Sequence, residues 1–286
     1  MRHSYNLFSL FVCFGLLYPA LSQNVPGWTL DAPADSVQLI SAEPDPMFTG
    51  VLKFTFKNVS GKTIINFLVD NLHGDATGFD GFVGDLGSVG PGQTTAAHFG
   101  ARDFEEQSAK KLRVVAIVYA DGSRGGAPDW LERVENQMLG AALETRRIAD
   151  ILAASPDPSL AGFDRVAPQI DISVPPGDSD AVDGIHGIAL PGVSVDEINR
   201  HLIHSVRGIS SGIHRARQRA LGEIKNIREN DARAMSRNIP AAQEYALQKR
   251  PHALSDMAKK YASLSEAQSR YIHALWEFRG STSPGP

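Results

Sequence analysis

The stretch 195–227 constrains this chain more than any other. Advancing about 100° per residue, Val195, Ile198, Leu202, Val206, Ile209, Ile213, Ala216, Ala220, Ile224 and Ile227 fall within an arc of roughly 80°. That stripe predicts a single helix, which at about 1.5 Å per residue would extend on the order of 50 Å. Ser194 and Glu197 have capping-box spacing at its start. Ile198, Ile209 and Ala220, like Leu202, Ile213 and Ile224, recur every eleven residues, the spacing of a nearly straight helix rather than a left-handed supercoil.

Gly208, Gly212, Ala216 and Ala220 recur every four residues and form a ridge of small residues against which a second helix can pack closely. The two glycines cost the helix about 1 kcal/mol each. Arg215, Arg219, Arg233 and Arg237 line one flank if the helix continues, and Arg217, Lys225 and Arg228 line the other. After an interruption at Pro240, a further helical run follows Pro251. There Leu254, Met257, Tyr261, Leu264, Gln268, Tyr271, Leu275 and Phe278 alternate three and four residues apart, a heptad seam with one polar position. The two runs are expected to form a long-helix hairpin or a small helical bundle, or to pair between chains.

The first half follows a different period. Around 51–70, Leu52, Phe54 and Phe56 alternate with Lys53, Thr55 and Lys57, Ser60-Gly61 supplies a turn, and Ile65, Phe67 and Val69 share a face on the return. This reads as a hairpin. Further short extended runs lie near 37–42, 93–99 and 112–119, with a weaker one near 79–86. Turn residues at Pro91-Gly92 and Asp121-Gly122 separate several of them. The run 112–119 is apolar on both faces apart from Arg113, so it is expected at the centre of a sheet. Short strands with frequent turns and no helix-length segment between them predict an antiparallel, Ig-like β-sandwich over 23–126. The fold class expected is therefore α+β. Asp129 and Glu132 have capping-box spacing, and Trp130, Val134, Met138, Ala141, Ile148 and Ile151 predict a helix over 127–154 that packs on the sandwich or leaves it.

The order of a KNVSGKTI hairpin, a GPGQT turn and VVAIVYADGS running into a helix resembles exported β-sandwich proteins of acidobacteria and related soil bacteria. The resemblance spans about 37–154. It implies a strand ending in an acidic-Gly pair ahead of a helix, and it brings no activity or functional residue with it.

Residues 1–22 combine a basic start at Arg2 and His3, an apolar run over 7–17 and a small-residue exit at Ala20-Leu21-Ser22, the pattern of a secretory signal peptide cut after Ser22. The alternative is an uncleaved anchor, for which the run is shorter than the roughly 20 residues a bilayer needs. No later segment is long and apolar enough to span a membrane. The only cysteine, Cys13, lies within the apolar run, so the mature chain is expected to have no disulfide and no thiolate ligand. These features place the protein outside the cytoplasm, in the periplasm or secreted.

With 286 residues, 42% of them hydrophobic and 21% charged, the chain has room for about two domains. The net charge of −4 is unevenly distributed. Residues 23–194 hold 23 acidic and 12 basic side chains, a net −11, whereas 195–286 hold 9 and 15, a net +6; Arg2 completes the sum. The halves could attract each other, or the basic half could meet an acidic partner.

Between them, 155–193 contains six prolines, five glycines and six aspartates, and reads as an acidic, partly extended linker. Asp178, Asp180 and Asp183 suggest a calcium loop, but the third acid is one position late and the closing glutamate is missing. The last residues, 281–286, read as a disordered tail.

Few features carry chemistry. Asp121, Gly122 and Arg124, with Gly125 and Gly126 behind them, form the one loop whose clustered amides could cradle an anion. Gly208-Ile209-Ser210-Ser211-Gly212 matches Gly-x-Ser-x-Gly, but a nucleophile elbow needs a strand before the serine, and a helix surrounds this one. His201, His204 and His214 lack the further ligand and glutamate that a zinc site requires, and His186 stands alone. No metal, cofactor or catalytic set is expected. The leading expectation is a non-catalytic exported protein whose helical region, 194–280, mediates self-association or binds a protein partner. Two alternatives are kept. One is a hydrolase uniting His73 or His98 with Asp75, Asp85 or Asp121. The other is a binder of anionic surfaces through Arg215, Arg219, Arg233 and Arg237, with nucleic acid the less expected surface.

Overall fold

The computed structural model describes residues 25, 27–71, 76–82, 87–104, 110–171, 177–185, 187–237 and 239–282. The signal-peptide expectation, Cys13, His73, Asp75, Asp85, His186 and the last four residues of the tail lie outside them.

The architecture is α+β. Among the described residues eight strands come first: β1 (Trp28–Asp31), β2 (Val37–Pro44), β3 (Val51–Asn58), β4 (Ile64–Asp70), β5 (Ala76–Asp80), β6 (Thr94–Gly100), β7 (Lys110–Tyr119) and β8 (Arg124–Gly126). They form two sheets, one ordered β1-β7-β4-β5 with β8 also on β7, the other β2-β3-β6. All pairings are antiparallel except β1 with β7, which is parallel.

The 51–70 stretch is two strands but not a hairpin. β3 pairs with β2 and β6, whereas β4 pairs with β7 and β5, so the turn at Ser60-Gly61 carries the chain from one sheet to the other. Burial explains the choice. β3 has one apolar face, but β4 buries Ile64, Phe67 and Val69 on one side and Ile65 on the other, and needs a position covered on both sides. Asn58 secures the crossing by donating its side-chain amide to the carbonyls of Lys62, at 2.8 Å, and Val89, at 2.7 Å.

Between the sheets lies one core: Val37, Leu39, Phe54, Phe56, Ala97 and Phe99 from the three-stranded sheet meet Ile64, Phe67, Val69, Leu112, Val114 and Ile117 from the other. Trp28, Phe54, Phe99 and Phe104 pack there edge to face, with centroids 4.6–5.8 Å apart. The other face of the larger sheet presents Ile65, Ala116 and Val118 to the helices. β7 is thus buried on both faces, as its sequence implies.

Among the described residues seven α-helices follow: α1 (Pro128–Ala153), α2 (Phe163–Ile170), α3 (Asp178–Asp183), α4 (Val195–Leu202), α5 (Ile209–Ser236), α6 (Pro240–Lys249) and α7 (Ala253–Thr282). α1 starts without the capping box its sequence suggests. Ala127 is its N-cap, with Pro128 in the first turn and no side-chain cap, so Asp129 and Glu132 do not form a capping box. Every residue from 134 to 145 is buried, because α1 lies between the larger sheet and the pair α5 and α7. The heptad seam of α7 closes within the chain: Leu254, Met257, Tyr261, Leu264 and Leu275 are buried. Its polar member, Gln268, donates to the Phe82 carbonyl at 2.8 Å.

The stripe at 195–227 is two helices. Ser194 and Glu197 form the expected capping box on α4, but the chain leaves the helix after Leu202 and re-enters at Gly208, whose φ of +94° is left-handed. Gly208 is therefore the N-cap of α5 rather than a member of its ridge. The remaining small residues work as expected. A Cβ at Gly212 would overlap the Gln137 carbonyl, and one at Gly140 would overlap that of Ile209, so α1 and α5 cross almost backbone to backbone.

Among its described residues, much of 155–193 is helical and packed rather than extended. α2 and α3 lie within it, and Phe163, Val166 and Ile170, spaced for one helical face, join Ile148, Leu152, Ala220, Ile224, Met257 and Tyr261 in a second helical core. Ala181, Ile185, Leu190 and Val193 reach the core under α1. The Pro158 carbonyl also accepts from the first amides of α7, those of Leu254, at 3.0 Å, and Ser255, at 3.1 Å. The expected tail begins as helix, since α7 continues through Thr282. No helix among the described residues is long and apolar enough to cross a membrane.

Candidate functional site

The concavity best suited to binding lies at the far end of the bundle. α5 ends at Ser236, the chain turns through Ile239, and Pro240 starts α6, which runs back and leaves a cleft between itself, α5 and the start of α7. The cleft holds about 310 Å³. Leu160, Ile227, Ala234, Tyr245, Ala246 and Ala253 make it mainly apolar, and Asp231, Lys249, Arg250 and Asp256 supply charge. Across Leu160 and Arg250 it adjoins a shallower depression of about 630 Å³ lined also by Asp164, Arg228 and Pro251.

Arg250 and Asp231 form the wall between the two. The guanidinium donates Nε to Oδ1 at 2.7 Å and Nη2 to Oδ2 at 2.8 Å, the bidentate geometry of a strong pair. These bonds hold the Arg250 pKa above its usual value, outweighing the small cost of desolvation. Tyr245 of the cleft lining is 63% exposed, and Ile239 and Leu247, at the N-cap and on the body of α6, are half exposed. Their exposure follows from sequence: α6 has polar and apolar residues around its whole circumference, so no orientation can bury all of them.

The arginine flank is only partly realised. Arg215, Arg219 and Arg233 lie on α5, but Arg237 is its extended C-cap, off the helix. Arg233 lies 4.0 Å from the Glu229 carboxylate and donates to Asn230 at 2.9 Å. The opposite flank is broken too. Arg217 is buried, with Nε 2.9 Å from Glu144 on α1, and Arg228 pairs with Asp164 on α2 at 2.6 Å. Part of the charge asymmetry between the halves is thus met inside the chain.

The 121–126 loop is tied down on all sides. Asp121 accepts from the Ser123 amide at 3.0 Å and its hydroxyl at 2.5 Å, and pairs with Lys62 at 2.9 Å. Burial alone would raise its pKa, but these bonds win and lower it. The Gly122 amide donates to the Tyr119 carbonyl, and its backbone packs against the Ala274 carbonyl of α7 at φ +81°. Arg124 pairs with the buried Glu135 of α1. With the amides of Gly122 and Ser123 bonded inside the turn, Asp121, Gly122 and Arg124 fix the sandwich to the helices and are not arranged as a cradle.

Lys62 also donates to Ser123 at 2.7 Å beside Tyr119, whose phenol is raised in pKa by burial against the lowering by Ser60 and Lys62. Ser123 already donates its hydroxyl to Asp121, so this cluster positions the turn rather than activating a nucleophile.

The remaining candidates are separated. His98 pairs with Asp45 at 3.0 Å, away from Asp121. His201 stacks on Trp276 with centroids 5.0 Å apart and meets Asn136 Oδ1 at 3.1 Å, whereas His204 is exposed. Ser210 of the Gly-x-Ser-x-Gly match donates to Asp178 at 2.5 Å. Asp178 itself starts α3 and bonds the amides at the head of α5, so it is not a calcium-loop ligand. Among the described residues no group of three or more His, Cys, Asp or Glu side chains is placed to hold a metal ion.

The molecule is, at this level, an α+β protein with a two-sheet layer, a helical layer and an apolar cleft at the end of the latter. No protein-family model, no curated protein and no solved structure matches the chain. Sequence reasoning missed the cleft because Leu160 fell in the supposed linker and Tyr245 and Ala246 in the supposed interruption. The only signal was the cluster of apolar residues at Ile239, Tyr245 and Leu247 in an otherwise polar stretch.

Proposed function

We propose that this is an exported, non-catalytic binding protein with an Ig-like sandwich, and that its helical region takes apolar side chains of a protein partner into the cleft under α6. A second copy of the chain is one such partner. The observation that carries this reading is the apolar cleft of about 310 Å³, at the lower end of the range of ligand sites, lined by the exposed Tyr245 of α6, a helix that also leaves Ile239 and Leu247 half exposed. The pairing of His98 with Asp45 and of Asp121 with Lys62, rather than with each other, favours binding over hydrolysis. The break in the arginine row at Arg237 favours a protein partner over an anionic surface.

The test uses the mature chain, a neutral solvatochromic dye such as Nile red, and light scattering across a concentration series. Dye emission is expected to rise with the wild-type chain and to be lost in Ala234→Trp, which fills the cleft. Any concentration-dependent rise in mass is expected to be lost in Leu247→Asp. Equal dye emission from both chains, with a monomer mass at every concentration, overturns the reading.

A further inference from the structure

We propose a second binding site, for a small oxyanion, in the pocket where Arg113, Arg133 and Arg207 converge beside Trp130. The pocket holds about 280 Å³ and is lined by Arg113, Ala127, Asp129, Trp130, Arg133 and Arg207. Its arginines come from three elements distant in sequence: β7, the second turn of α1, and the connection between α4 and α5. Chain neighbours sharing a solvated face would not produce this; the tertiary fold brings them together.

Each is held from behind. Arg113 donates to the buried Asp70 at 2.9 Å, which fixes its guanidinium while the side chain stays 44% exposed and lines the pocket. Arg133 lies over the Trp130 ring, 5.2 Å from its centroid, a contact that restrains the guanidinium without using its N–H donors. Arg207 is positioned through its backbone: its carbonyl accepts from the buried Asn136 at 3.2 Å, and its amide donates to Ser205 at 3.3 Å. Among the described residues neither the Arg133 nor the Arg207 guanidinium has a hydrogen-bonding partner.

The carboxylates nearby offset part of this charge: Asp70 pairs with Arg113, and Asp178 interacts electrostatically with Arg133, although both its oxygens are already hydrogen-bonded to Gly208 and Ser210 at the head of α5, so the guanidinium donors of Arg133 and Arg207 stay available. Asp129 alone lines the pocket, against three guanidiniums. The forked donors of arginine match two oxygens of one group, so the ligand class is a phosphoryl or carboxylate group on a small molecule. This site is independent of the α6 cleft and of the partner proposed for it.

The experiment is calorimetric titration of the full mature chain at low ionic strength with inorganic phosphate, and separately with succinate. The variants are Arg133→Gln and Arg207→Gln, with Arg146→Gln as the control; Arg146 is exposed and pairs with Asp150 on α1. Saturable binding at one site per chain is expected, weakened about tenfold by either pocket variant and unchanged in the control, a ratio equal to about 1.4 kcal/mol. Tighter binding of phosphate assigns a phosphoryl ligand, and tighter binding of succinate a carboxylate. Thermal melts establish that the variants fold; because Arg207 is exposed, its variant reads the site even if Arg133→Gln unfolds. No saturable heat with either anion, or equal binding in Arg207→Gln and the control, overturns the proposal.

Discussion

Arg217 of α5 directs its Nε at Glu144 of α1 from 2.9 Å, and both side chains are buried, Glu144 completely. Arg147 closes on the same carboxylate from one turn away, donating Nε to Oε2 at 2.8 Å and Nη2 to Oε1 at 2.7 Å, and its Nη1 reaches the Gln169 carbonyl in the last turn of α2. One carboxylate thus ties α1 and α5 together and reaches α2 through Arg147. Glu144→Ala would leave two guanidiniums without their shared anion, so we expect it to cost roughly 3–5 kcal/mol in urea unfolding. Replacing the buried pair together, Glu144→Leu with Arg217→Met, should recover most of that loss. A double variant no more stable than the single one would show that the packing, rather than the unpaired charge, was at stake.

The crossing of α1 and α5 makes opposite predictions for two glycines of one helix. At Gly212 a Cβ would overlap the Gln137 carbonyl, whereas at Gly222 it would meet nothing within 4 Å. Gly212→Ala must push the helices apart and should destabilise by about 1–3 kcal/mol. Gly222→Ala only removes backbone freedom from the unfolded chain and should stabilise by about 0.5–1 kcal/mol. Two melts on purified protein decide it: equal shifts of either sign would contradict the close crossing.

Asp178 links acid stability to the break between α4 and α5. Burial would raise its pKa, but the Ser210 hydroxyl and the amides of Gly208 and Ser210 bond the charged form and lower it on balance. A carboxylate with a depressed folded pKa adds stability that is fully present above its unfolded pKa, about 3.9, and is lost as the pH falls through the folded value. In Asp178→Asn this acid-dependent contribution should be absent. The measurement is unfolding free energy between pH 7 and pH 2 for both chains; their difference should shrink toward the acid end. A difference constant with pH would assign the effect to shape instead of charge.

The periodic signals predicted elements better than they predicted partners. The stripes in α5 and α7 depend on spacing alone, and both are buried where the sequence implies. Whether β3 and β4 pair with each other or part into different sheets depends on what covers the second face of Ile65, which is set by α1 some 70 residues later and invisible in a local window. Gly208 fits the small-residue ridge and the helical phase equally well; only the packing of Arg133 and Gln137 against it shows a cap instead of a helical residue. Composition misled at 155–193, where prolines and aspartates masked the spacing of Phe163, Val166 and Ile170. Both proposed sites escaped for the same reason: Arg113, Arg133 and Arg207, like Leu160 and Tyr245, acquire meaning only as neighbours in space.

The Asp231–Arg250 wall gives the α6 cleft a separate test. α6 contributes few apolar contacts, with Ala246 its one buried hydrophobic residue, so its position depends on the connection that follows it, where Arg250 is anchored to α5. Asp231→Asn keeps the shape but loses the charge on which both hydrogen bonds depend. α6 should then open locally while the rest of the fold holds, because segments with little buried apolar surface open first. Hydrogen exchange reads this directly. Protection over 240–249 should fall severalfold in Asp231→Asn while the amides of α1, buried on all sides, exchange as before. If both segments change together, the pair serves global stability and the cleft has no independent wall. If neither changes, α6 is held by its own contacts, and the exposed Tyr245 and Leu247 must be engaged in some way other than the opening of this cleft.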